Sequence, residues 1–394
     1  MSRMMWKPSS ERIAESNMYN FMQYINRRHS QEFEEYHQLW KWSVDNIPRL
    51  WESLWDYLDI IHSAPYREVL TGEDRMPGAE WFPGARLNFA ENLLRYRDDR
   101  PAIIARAEDG STREITYRQL YRRVAELAGA MREMGVEEGD RVVGFMPNIP
   151  ETIIAMLASA SIGALWSSCS PDFGIQGVLD RFGQIEPKLI FTADGYTYKG
   201  KKFNSLDEIA GILKKLGSIE RVVVVPFIGK DPDLSGIEKG ILWNDFISDN
   251  TEVEFRQLPF RHPLYIMYSS GTTGLPKCMV QSAGGILIHH MKELALHTDL
   301  KREDRIFYFT TCGWMMWNWL TSSLALGATV ILFDGAPFHP RPGALFEMAQ
   351  DLKVTIFGTS AKYLAALNKS GVKPSEIYDL SSLKAILSTG SPLH

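Results

Sequence analysis

From residue 101 onward, short runs of apolar, often β-branched residues alternate with stretches of helical spacing, and no other feature of the chain limits its fold so tightly. Strand-like runs occur at 142–146, 164–167, 189–191, 222–225, 264–267, 330–333 and 354–357, with helical patterns at 150–163, 174–185, 343–352, 361–369 and after Ala283. Continuously apolar strands are what a parallel sheet requires, because helices cover both of its faces. The expected class is therefore α/β: layered, mostly parallel sheets flanked by helices. Right-handed crossovers then bring ligand sites to the carboxyl ends of the strands.

The first 63 residues follow a different pattern. Between 9 and 63 the spacing is helical, with Phe33, Tyr36 and Trp40, then Trp51, Trp55, Leu58 and Ile61, falling on shared faces, which predicts core packing rather than a ligand box. Turn residues at 71–78 mark a connector, dividing the chain into a helical N-terminal region (1–75) and a larger region (76–394).

Composition matters here for what it excludes. With 394 residues, 45% of them hydrophobic, the chain can bury large cores, and a net charge of -5 offers no electrostatic footprint for nucleic acid. Cys169, Cys278 and Cys312 are odd in number and widely spaced, against both a disulfide framework and a structural zinc site. This predicts a reducing, cytoplasmic setting. Pro8, Glu11 and Glu15 interrupt any secretory apolar core. The uncharged segment 312–333 is long enough to span a bilayer, but Asn318, Thr321, Ser322, Ser323 and two glycines dilute it and its end reads as a buried strand, so no membrane span is expected.

Chemistry concentrates in the run Tyr268, Ser269, Ser270, Gly271, Thr272, Thr273, Gly274, Leu275, Pro276, Lys277, which lies between two strand-like segments. Its glycines allow close backbone approach to an anion, four hydroxyls can donate to it, and Lys277 adds a positive charge. It reads as a polyphosphate loop. The spacing is not that of a Walker loop, since Pro276 and Cys278 stand where glycine and a hydroxyl would be needed.

This run resembles the phosphate-loop signature of the adenylate-forming enzymes, a family that includes acyl-CoA synthetases, luciferases and peptide-synthetase adenylation domains. The segments 81–88, 169–174 and 313–319 are similar to the branch that activates acetoacetate. The resemblance implies an acid–thiol ligase that uses ATP, Mg2+ and coenzyme A, with acetoacetate as the acid. It assigns Ser269, Ser270, Gly271, Thr272, Thr273, Gly274 and Lys277 to the phosphates, Lys277 and Thr272 being the catalytic pair. It further places Gly390, Ser391 and Pro392 at the adenine and Trp314, Met315, Met316, Trp317 and Asn318 around the acyl pocket, with Asn318 a candidate donor to a ketone oxygen.

For coenzyme A the segment 196–202 departs from the related pattern, carrying Tyr198 where an arginine is expected, and leaves Lys201 as the candidate contact. Arg86, Asn88 and Asn92 fit the resemblance without revealing whether they bind or cap. No metal site is expected from His289, His290 and His297, which lack ligand spacing. The resemblance also implies motifs beyond His394, so a truncated and by itself inactive synthetase is expected. Another short-acid synthetase (acetyl or propionyl) and a non-catalytic nucleotide-binding fragment stay open as alternatives.

Overall fold

The computed structural model describes residues 6–269 and 274–393. After a single helical turn at Ser10–Ala14 come three helices, α1 (Asn17–His29), α2 (Tyr36–Asp45) and α3 (Ile47–Tyr57). The Ser16 hydroxyl caps α1 by accepting from the Tyr19 N–H, and a proline sits in the first turn of α3. Phe21, Ile25, Leu39, Leu54 and Trp55 form the inner faces. Trp55 stacks on Phe82 at 4.8 Å in the core and half-buried Trp51 meets Trp81 beside it, so both pack as their spacing predicts. Tyr36 and Trp40 differ: both face outward from α2.

Asn88 caps the short helix α4 (Phe89–Leu93) by accepting from the Glu91 N–H, while its amide donates to the carbonyls of Ala160, Ser161 and Arg256. Asn92 exchanges two hydrogen bonds with the backbone of Ile61. Both amides are fully buried, and that of Asn92 joins the N-terminal region to the rest of the chain.

The body begins with an antiparallel hairpin of β1 (Pro101–Ala107) and β2 (Thr112–Thr116), then α5 (Tyr117–Glu133), which starts at a Thr116/Gln119 capping box. Next come β3 (Arg141–Phe145), α6 (Pro150–Ile162), β4 (Leu165–Cys169), α7 (Gly174–Phe182), β5 (Leu189–Ala193), a second hairpin of β6 (Gly195–Tyr198) and β7 (Lys201–Asn204), α8 (Leu206–Leu213), β8 (Arg221–Val225) and β9 (Gly240–Leu242). The remainder comprises β10 (Pro263–Ser269), β11 (Lys277–Ser282), α9 (Ala283–Lys292), β12 (Arg305–Tyr308), α10 (Met315–Thr321), β13 (Thr329–Asp334), α11 (Ala344–Asp351), β14 (Ile356–Ser360), α12 (Ala361–Lys369) and β15 (Ala385–Thr389).

Two large sheets result. One has the order β9-β8-β5-β3-β4-β10-β11, parallel except for its last pair; the other has the order β15-β14-β12-β13-β1-β2, again parallel except for its last pair. The expected α/β layering is therefore observed. Every residue of α6 is buried, as a helix covered on all sides requires, and the helix stops at Gly163, whose φ of 92° suits glycine. The segment 312–333 divides into α10, a 3-10 turn and β13. No helix among the described residues is long and apolar enough to cross a membrane.

What positions the site is the way the strand ends of the two sheets are tied together. Asn148, just past β3, donates its N–H to Asp334 at 3.0 Å and its side-chain amide to the carbonyls of Thr310 and Phe333. The Ser168 hydroxyl donates to the Cys312 carbonyl at 2.7 Å, and the Cys312 thiol approaches the Met146 carbonyl at 3.1 Å. The carboxyl ends of β3 and β4 thus face those of β12 and β13 across one crevice.

Candidate active site

The phosphate-loop candidate springs from this crevice. In the β10–β11 pair Ser269 stands opposite Lys277, so the lysine sits at the base of the loop, where it is exposed. Gly274 has a φ of 96°, and the Gln184 side chain donates to the Pro276 carbonyl at 2.9 Å, fastening the returning limb to the turn after α7. Ser270, Gly271, Thr272 and Thr273 lie outside the described residues.

Two other segments singled out by resemblance meet beside it. Phe173, between β4 and α7, packs its ring 6.5 Å from that of Trp314. A Cβ on Gly313 would come within 3.0 Å of the same phenylalanine. The Arg181 guanidinium lies over Phe173 at 4.4 Å and over Tyr268 at 5.7 Å, linking both to the end of β10.

The candidate acyl-pocket run does not act as one wall. Trp314 is the N-cap residue of α10 and is 60% exposed; Met315 is 50% exposed and Met316 half-buried. Trp317 is 0% exposed and donates its indole N–H to Asn148 Oδ1 at 2.9 Å, so it belongs to the core behind the wall. Asn318 is buried in a small cavity with Trp166, Ser168, Tyr268 and Met267, where its Oδ1 has no partner and its Nδ2 only a 3.9 Å contact with the Met267 sulfur. An amide left that poorly satisfied is free to bind a ligand.

At the far end of the second sheet, Gly390, Ser391 and Pro392 follow β15 as an exposed turn, Gly390 with a φ of 90°. The lysine segment expected as a loop is instead the β6–β7 hairpin, with Lys201 opposite Tyr198. Lys201 is exposed. The alternation of a strand separates it from Lys202, which lines a cleft with Glu108, Thr197, Gly200, Phe227, Asp334 and His339. Sequence spacing had pointed to neither Glu108 nor Asp334.

Asp334 ends β13 inside that cleft, and burial pushes its carboxyl up to about 6, with the Glu108 and Asp172 carboxylates adding to the rise and the Asn148 N–H opposing it. A group that binds its proton more tightly folded than unfolded makes the fold less stable as pH rises from about 4 through 6. Asp334→Asn keeps the acceptor for Asn148 and removes the buried charge. The variant is therefore expected to exceed the parent by about 2 kcal/mol above pH 7 and to match it near pH 4. Denaturant unfolding across that range measures it, and a constant difference would refute the assignment.

The remaining polar candidates are structural. His290 Nδ1 lies 2.8 Å from the Ser322 hydroxyl, and burial pushes this histidine down to about 3, so it stays neutral. Burial likewise lowers His289 and His297. Cys169 and Cys312 are buried with raised thiol pKa values, and Cys278 is exposed; all three are free thiols. Among the described residues no group of three His, Cys, Asp or Glu side chains could hold a metal ion.

Comparison with known proteins gives this geometry a context. A family model described as AMP-binding enzyme matches residues 89–394, and one described as acetyl-coenzyme A synthetase N-terminus matches 36–93. The acetoacetyl-CoA synthetase of Gallus gallus is 46% identical over 402 aligned residues, covering 100% of this chain and 60% of that protein. The Rhizobium meliloti acetoacetyl-coenzyme A synthetase is 47% identical, with 99% and 60% covered. A solved structure of acetoacetyl-CoA synthetase from Streptomyces lividans superposes with a TM-score of 0.95 at 42% identity, over 100% of this chain and 60% of that one. The chain thus spans about 60% of the length of these relatives.

Proposed function

The chain belongs to the AMP-binding enzymes, and from that premise we propose that the protein ligates acetoacetate to coenzyme A through an acetoacetyl-adenylate. An acetoacetate carboxylate oxygen attacks the α-phosphorus of ATP, and the bond to the bridging oxygen breaks as pyrophosphate leaves. The thiol of coenzyme A then attacks the acyl carbon, losing its proton, and AMP departs. Neither step needs a covalent bond to the protein, whose contribution is positioning and charge stabilisation. Magnesium would supply charge neutralisation at the phosphates.

Within this reading Ser269, Ser270, Thr272, Thr273 and the glycines cradle the β- and γ-phosphates, with Lys277 neutralising the departing pyrophosphate. The turn at Gly390, Ser391 and Pro392 flanks the adenine. Met315 and Met316, with Trp314 at their edge, border the acyl group, and Asn318 Nδ2 donates to the ketone oxygen. The β6–β7 hairpin, with Lys199 and Lys201 exposed, receives the phosphates of coenzyme A. The observation that carries the proposal is the meeting of Phe173 and Trp314, from the two segments that resemble the acetoacetate branch, next to the strand that bears the phosphate loop.

Substrate choice tests it. Acetate forfeits roughly 0.8 kcal/mol for each methylene-sized group it lacks. Butyrate fills the space but strands the amide, at about 1 to 3 kcal/mol. In the whole protein, acetoacetate is expected to lead butyrate by about tenfold in kcat/KM, with acetate lower still. An enzyme that prefers acetate, or accepts butyrate as an equal, is an acyl-CoA synthetase of another specificity.

A further inference from the structure

The tip of the β6–β7 hairpin is held by a carboxylate from the other sheet. Glu108 follows β1 directly, and its side chain is 1% exposed. Its Oε2 accepts from the Lys199 N–H at 3.0 Å and the Ala336 N–H at 2.6 Å, and its Oε1 accepts from the Gly200 N–H at 2.5 Å. Three backbone donors on one buried carboxylate make a strong and directional clamp.

The backbone is shaped to present those donors. Lys199 and Gly200 have φ values of 51° and 72°, a turn with two successive left-handed residues that aims both N–H groups to one side. Lysine in this region costs about 1 kcal/mol, so the conformation needs an outside partner. On the other flank, a Cβ at Gly335 would meet Glu108 at 2.7 Å, which leaves room only for glycine, and His339 Nε2 stands 3.8 Å from the carboxylate. Across the cleft Asp194 accepts from the N–H groups of Phe227, Ile228 and Gly229, and Lys202 Nζ donates to the Ile228 carbonyl at 2.8 Å. Both walls are therefore tied by buried carboxylates.

We propose that Glu108 is a positioning residue for the thioester-forming step: it locks the hairpin tip so that Lys199 and Lys201 are presented in fixed places to the phosphates of coenzyme A. The inference rests on the reading above that this hairpin receives the coenzyme. Glu108 touches no reacting group. Its influence should thus fall on coenzyme binding and leave adenylation alone, since the phosphate loop springs from a different strand, β10. A merely structural role would depress both half-reactions together.

The test is Glu108→Gln in the whole protein, measuring the KM for coenzyme A in thioester formation beside acid-dependent ATP–pyrophosphate exchange, which needs no coenzyme. The expected result is a KM for coenzyme A raised about tenfold, with exchange within twofold of the parent. Should Glu108→Gln fail to fold, Glu108→Asp keeps the charge but draws the carboxylate back from the hairpin tip. It is then expected to raise the KM for coenzyme A severalfold, again with exchange within twofold of the parent. Equal loss in both half-reactions overturns the proposal. So does an unchanged KM in Glu108→Gln when Lys201→Ala raises it, an outcome that leaves the hairpin as the coenzyme site. If the parent makes no thioester, or Lys201→Ala and Glu108→Gln both leave the KM unaltered, the reading of the hairpin itself falls.

Discussion

Lys277→Ala is expected to lower acid-dependent ATP–pyrophosphate exchange by about a hundredfold or more in the whole protein. The lysine stands at the base of the loop, opposite Ser269 in the β10–β11 ladder, where sheet pairing fixes its backbone while its side chain is exposed. A preorganised donor aimed at charge that develops in the transition state is worth roughly 3 to 4 kcal/mol, against about 1 kcal/mol for an exposed ion pair. On the proposed assignment of Lys277 to the departing pyrophosphate, the larger figure applies. Thr272→Ala removes a neutral donor and should cost less, about tenfold. Acid binding measured without ATP should be unaltered in both variants. Normal exchange combined with weakened acid affinity would move this loop from the phosphates to the acid.

Most of the strands that could be read from sequence were ones whose burial is uniform. Val222, Val223 and Val224 in β8, and Val330, Ile331 and Leu332 in β13, are fully buried, and an unbroken apolar run is the expected imprint of a parallel strand covered on both faces. The β6–β7 hairpin left no such imprint. All four residues of β7 are exposed, so its sequence carries no hydrophobic period, and its lysines read as a loop. β12 was missed for a different reason: it contributes only Arg305–Tyr308 and begins on a charged residue, too short for a pattern.

At the site, the loop 269–277 stood out in the sequence because its hydroxyls, glycines and lysine are adjacent residues. Glu108 did not. Its partners lie at Lys199, Gly200 and Ala336, separations of 91, 92 and 228 residues, and a carboxylate that follows a strand has no spacing to announce a clamp. The same holds for Asp334, bound by the backbone of Asn148 across 186 residues. The run 314–318 was legible in composition only. Its residues follow a helix from Met315 to Thr321, so successive side chains point about 100° apart and the segment splits between surface and core.

That split yields the sharpest test of the acyl pocket. Trp317→Ala is expected to lose 3 to 5 kcal/mol of folding stability, because a fully buried indole leaves a cavity that its surroundings fill only in part. Part of the loss lies in Asn148, which gives up the indole donor while still bridging Thr310, Phe333 and Asp334. Removing a partner from a buried amide costs about 1 to 3 kcal/mol on its own. Met315→Ala, at a position that is 50% exposed, should change stability by less than about 1 kcal/mol. Its effect should appear instead as a several-fold shift in kcat/KM toward acids longer than acetoacetate, as the bordering methionine gives way. Chemical denaturation and an acid panel on both variants separate the two roles. A Trp317→Ala protein that unfolds at the parental midpoint but changes its acid preference would return that tryptophan to the pocket wall and remove it from the joint between the sheets.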